Sequence, residues 1–199
     1  MCVIDTEAKE AAIAAFLREH PPSPADPAAP DHPALAGCAD IAWSRFHRCP
    51  ADIPLLLRAL LDRNSAPRAV DVLTTVLMDD IFTLNAAMPA ALPFLIRLAA
   101  GSDTTVRLDL VRLLTITAEL SEPVPEDNAT ALLVFGAERD HPERARCRAV
   151  FAEHGPTVRV LLDADPEIGT DDRERLLRVL ERPSPATTPD PGREHARHP

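Results

Sequence analysis

Two cysteines and a histidine lie close together in the sequence and have the side-chain chemistry of a zinc site. Cys38, His47 and Cys49 form the pattern C-x8-H-x-C. Zinc takes four protein ligands in structural sites, usually as two close pairs. The fourth ligand would have to come from His32, Asp40 or Cys147. Because the chain has no C-x-x-C pair, we favour the alternative of buried free thiols beside a surface histidine, and we predict no metal and no cofactor.

Two neighbouring histidine–carboxylate pairs could act as general bases. Asp140 precedes His141 and Glu153 precedes His154, at the two ends of one predicted helix. A carboxylate beside a histidine suits proton transfer, but exposed helix ends collect such pairs without any catalytic role. The sequence contains no glycine-rich phosphate loop, G-x-S-x-G or H-E-x-x-H motif. We therefore predict no catalytic residues and a protein that is not an enzyme.

Acidic residues collect where the predicted helices end and begin. In a stack of helix pairs the equivalent loops lie along one edge, so these charges could merge into an acidic ridge that attracts a basic partner. The alternative is a set of solvated turns in which acids favour helix N-termini. The residues predicted to bind a partner are Asp79, Asp80, Glu119, Glu122, Glu126, Asp127, Asp163, Asp165, Asp171 and Asp172.

Composition indicates a helical protein that does not bind nucleic acid. The chain has 199 residues, of which 46% are apolar and only 4% aromatic, with 6 glycines. A net charge of −10 repels phosphate backbones. The N-terminus lacks the basic region of a signal peptide, and no apolar run approaches the roughly 18 residues of a membrane span. We therefore expect a cytoplasmic protein with reduced thiols and no membrane partner.

Helical spacing of apolar residues predicts the elements that must position these side chains. Predicted helices cover residues 5–19, 39–46, 52–62, 65–78, 84–100, 103–120, 125–139, 142–153, 156–163 and 170–181. The first helix is predicted to turn Ala8, Ala12, Ala15 and Phe16 inward. No strand pattern competes, so the predicted class is all-α.

Proline-rich stretches divide the chain into four predicted parts. These are an N-terminal helix at 1–19, a linker or strap at 20–35, a helical-repeat domain at 36–182 and a disordered tail at 183–199.

A repeat of 39 residues predicts the arrangement of these helices. Residues 53–61 read IPLLLRALL and residues 92–100 read LPFLIRLAA. The matched pairs are Pro54 with Pro93, Leu56 with Leu95, Arg58 with Arg97, and Arg68 with Arg107. Two helices in about 40 residues are typical of HEAT and armadillo arrays. We predict an α-solenoid of about four helix pairs, in which the recurring arginine bonds to neighbouring loops; a plain helical bundle is the alternative.

Two later residues echo the repeat after a longer insert. Pro156 occupies the position of the recurring proline, and Arg173 that of the arginine which begins each second helix. The last two helix pairs are therefore predicted to be degenerate copies, with the final helix as a cap.

Residues 83–98, TLNAAMPAALPFLIRL, also resemble small actinobacterial HEAT-like proteins. In those proteins an Ala/Thr-rich segment runs into Pro-Phe-Leu and an apolar helix, and the matching residues here are Thr83, Ala87, Ala91, Pro93, Phe94 and Leu95. The resemblance covers about residues 41–120. The family's preceding His-Gln-Gly is replaced by Asp80, Ile81 and Phe82. The resemblance implies an α-solenoid and supplies no catalytic residue.

Together these observations predict a non-catalytic protein-binding module whose partner is another, basic protein. An immunity or antitoxin-type inhibitor is one specific form. A helical scaffold or regulator of a complex is the first alternative. A HEAT-like enzyme of the DNA-glycosylase type is the second, and it is disfavoured because it needs a basic groove and aromatic contacts to bases.

Overall fold

The computed structural model describes residues 4–21, 32–101 and 105–181. The described part is mostly helical, so the all-α class is confirmed in its main feature. Most of the predicted linker at 20–35 and the predicted tail at 183–199 lie outside the described residues.

Most of the predicted helices occur within a few residues of their expected bounds. They are α1 (Thr6–Glu19), α2 (Ile53–Ala59), α3 (Ala66–Leu77), α4 (Met88–Ala100), α5 (Arg107–Leu120), α6 (Ala129–Phe135), α7 (Pro142–Glu153), α8 (Gly155–Ala164) and α9 (Thr170–Glu181). The predicted helix at 39–46 is replaced by two 3-10 turns, Cys38–Asp40 and Trp43–Arg45. Further 3-10 turns cover Pro33–Leu35 and Glu138–Asp140.

The prediction that no strand occurs was wrong. Strand β1 (Met78–Asp80) pairs antiparallel with β2 (Thr83–Leu84), directly after α3. The turn is made by Asp80, whose carboxylate accepts hydrogen bonds from the Phe82 N–H and from the Thr83 hydroxyl. Such a turn depends on one side chain and two very short strands, so it leaves no alternating pattern to read.

Helix α4 lies at the centre of the fold. It packs against α5, α7 and α8, and most of its residues are buried although Pro93 lies inside it. The segment before α2 covers one side of α4, where the Trp43 ring lies 6.3 Å from that of Phe94. The N-terminal helix, α1, packs against α3.

The predicted inward face of α1 is corrected by the structure. Lys9, Ile13 and Phe16 are its buried residues, whereas Ala8 is exposed. The side chain of Asp5 caps the helix by accepting a hydrogen bond from the Ala8 N–H at 2.7 Å.

Replacing Leu95 with Ala should lower the free energy of unfolding by about 2–5 kcal/mol. Leu95 is fully buried in α4, so the shorter side chain leaves a cavity as well as losing buried apolar area. Urea unfolding followed by circular dichroism measures the change. Leu133→Ala is the matched control, because the same substitution at an 86% exposed position should change stability by under about 0.5 kcal/mol. Equal effects at both positions would contradict the assignment of Leu95 to the core.

Within the described ranges, every helix is too short or too polar to cross a bilayer.

Candidate interaction surface

Helix α6 is apolar but none of its residues is buried. Six of its seven residues, ATALLVF, are apolar, and Leu133 is 86% exposed. The helix has defined ends, because the Asn128 side chain accepts from the Ala131 N–H at 3.0 Å and Gly136 follows with a φ of +74°. A short helix of this composition is not stable alone, so neighbouring residues must hold it in place.

Two buried arginines of α7 hold the ends of α5 and α6. Arg144 donates to the carbonyls of Phe135 and Gly136, at the end of α6. Arg148 donates to the Ser121 carbonyl at the end of α5 and to the Glu138 carboxylate. Cations are favourable there because the last carbonyls of a helix have no partner within the helix. Burial lowers the pKa of the Arg144 guanidinium.

The β1–β2 turn extends the apolar surface of α6. The Phe82 ring meets the Phe135 ring edge-on, with centroids 5.6 Å apart. The neighbouring Ile81 is 76% exposed. We call Ile81, Phe82, Leu133 and Phe135 the α6 surface; Phe82 contacts Phe135, whereas Leu133 lies two residues away and so on another side of the helix.

A cleft of about 210 Å³ opens beside the α6 surface. It lies between the loop that follows α5, the inner side of α6 and the start of α7. Its walls are mainly apolar, with Arg144 and two carboxylates among the lining residues. We call it the α6 cleft; it is lined by Glu119, Leu120, Glu122, Pro123, Val124, Pro125, Ala131, Phe135 and Arg144.

Two of the predicted partner-binding carboxylates face inward. Asp79 lies 2.6 Å from the Nζ atom of Lys9, which is fully buried. Asp80 is itself buried and accepts the hydrogen bonds of the hairpin turn. The sequence placed both residues at an exposed helix end, but α3 ends at Leu77 and the strand that follows turns them toward α1 and β2. Their carboxylates therefore stabilise the fold.

Three more of the predicted carboxylates join helices to one another. Glu119 lies 2.8 Å from Arg175, and Glu122 lies 3.7 Å from Arg178. These pairs connect α5 to α9. Asp165 lies 3.4 Å from Arg107, whose guanidinium also donates to the Gly101 carbonyl at 2.6 Å. The predicted bonding of the recurring arginine to neighbouring loops thus occurs at Arg107, whereas the matching Arg68 lies near Glu19 of α1 and Asp71 of its own helix.

The remaining predicted carboxylates are at or near the surface. Glu126 and Asp127 are exposed on the loop that forms one wall of the α6 cleft. Asp171 and Asp172 lie in the first turn of α9, and Asp163 is an exposed residue 4.0 Å from Arg173. The structure thus divides the predicted ridge into structural pairs and a smaller exposed set.

The cysteine–histidine pattern does not assemble into a metal site. Cys38 and Cys49 are buried, whereas His47 is exposed. Burial raises the pKa of the Cys49 thiol to about 11, and it raises the pKa of the Cys147 thiol as well. In the described part of the chain, no group of three or more histidine, cysteine and acidic residues could hold a metal ion.

His141 pairs with a different carboxylate from the one its sequence neighbour suggests. Its Nδ1 atom lies 3.0 Å from the carboxylate of Glu143, the second residue of α7, while Asp140 lies near Arg139. The other ring nitrogen faces the Gly136 backbone closely enough that a Cβ atom there would lie 2.6 Å away. The His141 ring therefore packs against the end of α6, which indicates a structural role.

Replacing Gly136 with Ala should lower the free energy of unfolding by about 1–3 kcal/mol. Alanine would have to adopt a left-handed φ at this position, and its Cβ atom would lie 2.6 Å from the His141 ring. Thermal unfolding measures the change. Gly37→Ala is the matched control, since its φ is +82° but nothing lies within 4 Å of a Cβ built there. An equal loss in the two variants would show that the His141 contact adds nothing.

Sequence reasoning missed α6 as a candidate interaction site. The available signal was a seven-residue run that is apolar on every side, between Asn128 and Gly136, inside a longer predicted helix. A helix that packs on the core with one face would carry polar residues on its other face. A helix that is buried on all sides would be longer.

Comparison with known proteins adds no relative. A scan against protein-family models found no match, and neither a search of curated proteins nor a search of solved structures found a significant one.

Proposed function

We propose that this protein is a non-catalytic helical-repeat module that binds another protein through the α6 surface. The observation that carries the proposal is that α6 buries none of its residues, although six of the seven are apolar and Leu133 is 86% exposed. Exposed apolar patches on a folded domain mark interaction sites. Protein interfaces combine an apolar centre with a polar rim, which suits the carboxylates on the loop beside α6.

The helix contacts support a HEAT-like stack of three units, one fewer than the four or so helix pairs predicted from the sequence. We take α2 with α3, α4 with α5, and α8 with α9 as the helix pairs, since the two members of each pair pack together. The second helices α3, α5 and α9 then pack in series, and α4 packs against α8. The recurring proline begins α2 and α8, and it lies within α4.

On this arrangement α6 and α7 form an insert in sequence between the second and third units, although α7 packs against α4, α5 and α9. Because of the insert, the recurring proline that follows Pro93 does not come until Pro156. Insertions in repeat proteins commonly form the binding face. The α6 surface combines residues of the insert with residues of the β1–β2 turn, which follows the second helix of the first unit.

The partner that we propose is a basic protein, and the activity is that of an inhibitor of the immunity or antitoxin type. A net charge of −10 attracts such a partner and accelerates its association. A helical scaffold would use the same surface to assemble a complex. We expect either role to be carried out in the cytoplasm, where free thiols stay reduced.

Leu133→Asp should abolish partner capture while leaving the fold intact. The tagged protein would be immobilised and exposed to lysate of the native host at low and high salt, and retained proteins quantified by mass spectrometry. Val160→Asp is the matched control, because Val160 is 65% exposed on α8 and belongs neither to the α6 surface nor to the lining of the α6 cleft.

We expect one basic protein to be retained by the wild type and by Val160→Asp and to fall at least tenfold with Leu133→Asp. Retention should also fall at high salt, which screens exposed charges. Equal retention by all three proteins would overturn the proposed surface.

A further inference from the structure

We propose that the α6 cleft takes one apolar side chain, branched aliphatic or aromatic, from a partner segment that carries arginine or lysine on both sides of it. This inference rests on the proposed function and specifies how the partner is recognised.

The size of the cleft fits a single side chain. Its volume is about 210 Å³. An apolar cavity of about 150 Å³ can hold benzene, whereas pockets for drug-sized ligands and cofactors occupy roughly 300–1,000 Å³. The α6 cleft therefore has room for one hydrocarbon group and not for a nucleotide or a similar cofactor.

The walls of the cleft favour an apolar group over an anion. Leucine, valine, proline, alanine and phenylalanine side chains make up most of the lining. The one cation among them, Arg144, is 1% exposed and already donates to the carbonyls of Phe135 and Gly136. Those bonds use two of its five N–H donors, and burial leaves almost none of the guanidinium open to an anion in the cleft.

The rim of the cleft favours basic residues next to that group. Glu119 and Glu122 line the cleft, and their charges are offset by Arg175 and Arg178. Glu126 and Asp127 lie exposed on the wall loop and form no ion pair within the described ranges. Glu126 and Asp127 do not line the cleft but follow its lining residue Pro125 on the same loop. Counted with Glu119, Glu122 and the three arginines 144, 175 and 178, they leave one net negative charge at the cleft, which attracts arginine and lysine and repels acidic segments.

Binding of three short peptides to the full-length protein tests both parts of the inference. The probes are acetyl-GRRLRRG-amide, its analogue with Ala in place of Leu, and its analogue with Glu in place of every Arg. Amide chemical shifts from NMR give the affinity and the position of binding. We expect the Leu peptide to shift the amide resonances of residues 119–136. Each analogue should bind at least about tenfold more weakly than the Leu peptide.

Two variants connect that binding to the cleft. Ala131→Phe fills the cleft and should remove the preference for Leu over Ala. The double variant Glu126→Lys with Asp127→Lys changes only exposed side chains, so it should fold normally, and it should remove the preference for Arg over Glu. The second variant keeps the test decisive if the first fails to fold.

Several results would overturn the inference. They are no binding of the Leu peptide up to millimolar concentration, equal binding of the Leu and Ala peptides, or shifts confined to another face. Deletion of residues 182–199 that raises affinity tenfold would show that the chain's own tail occupies the cleft. A concentration-dependent dimer by light scattering that Ala131→Phe abolishes would show a second copy there.

The proposed function fails by a different result. If Leu133→Asp loses the captured protein while the peptides show no preference, the interaction surface stands and only the cleft assignment is wrong. If Leu133→Asp and Val160→Asp retain the same protein equally, the surface itself is wrong.

Discussion

Replacing Lys9 with Met should detach α1 from the body and lower the free energy of unfolding by about 3–5 kcal/mol. Lys9 is fully buried, and its Nζ atom lies 2.6 Å from the Asp79 carboxylate. Asp79 also accepts a hydrogen bond from the Asn85 side chain at 2.8 Å. Removing the lysine leaves a largely buried carboxylate without its counter-charge, which costs more than the lost attraction alone. Urea unfolding followed by circular dichroism measures the loss.

A double variant separates the ion pair from packing. Lys9→Met with Asp79→Asn removes both charges, so it should recover part of the stability lost in Lys9→Met. Glu10→Met is the control for the substitution itself, since Glu10 is exposed on the same helix and should cost under about 0.5 kcal/mol. A Lys9→Met protein as stable as Glu10→Met would contradict the buried pair.

The Lys9 pair also shows where sequence reasoning ends. Helical spacing located α1 to within one residue, because periodicity and capping are local properties of the chain. Which face of α1 turns inward depends on α3 and the hairpin, and the partner of Lys9 lies 70 residues away. An amphipathic pattern made of alanines is too weak to decide that face, so the buried lysine could not be predicted.

Helix α7 illustrates a second limit. Its bounds, Pro142–Glu153, match the prediction, because a proline marks the start and the pattern continues to the end. Its buried face carries Glu143, Arg144 and Arg148 beside Cys147 and Phe151. Buried charged groups have no periodic apolar signature and require specific partners, which only the folded chain brings together.

The candidate site was predicted only in part. The acidic residues near 119–127 were identified from their clustering, and two of them, Glu119 and Glu122, line the α6 cleft. The apolar half of the site was missed because α6 was joined to its flanks in one helix from 125 to 139. Asn128 and Gly136 limit that helix to seven residues, through a side-chain cap and a left-handed turn. The shortening is what leaves its apolar side chains exposed.

Replacing Arg148 with Met should lower the free energy of unfolding by about 3–5 kcal/mol and should also weaken partner binding. Arg148 is 9% exposed and bonds to the Ser121 carbonyl and the Glu138 carboxylate. Without it, the end of α5 loses its donor. Glu138 is left with no cation, although its Oε2 atom is already buried without a hydrogen bond among the described residues. The loss comes mainly from the buried Ser121 end of α5, because the Glu138 side chain is 34% exposed and water solvates part of its charge.

Arg146→Met is the matched control for Arg148, because Arg146 is exposed on the same helix. It should change stability by under about 0.5 kcal/mol and should leave binding unchanged. Equal stability of the two variants would show that the Arg148 bonds contribute nothing. Adding Glu138→Gln to Arg148→Met should restore stability in part, because no unpaired charge remains, but it should not restore binding. The Ser121 carbonyl would still lack the donor that fixes the loop between α5 and α6, and that loop forms the wall of the cleft.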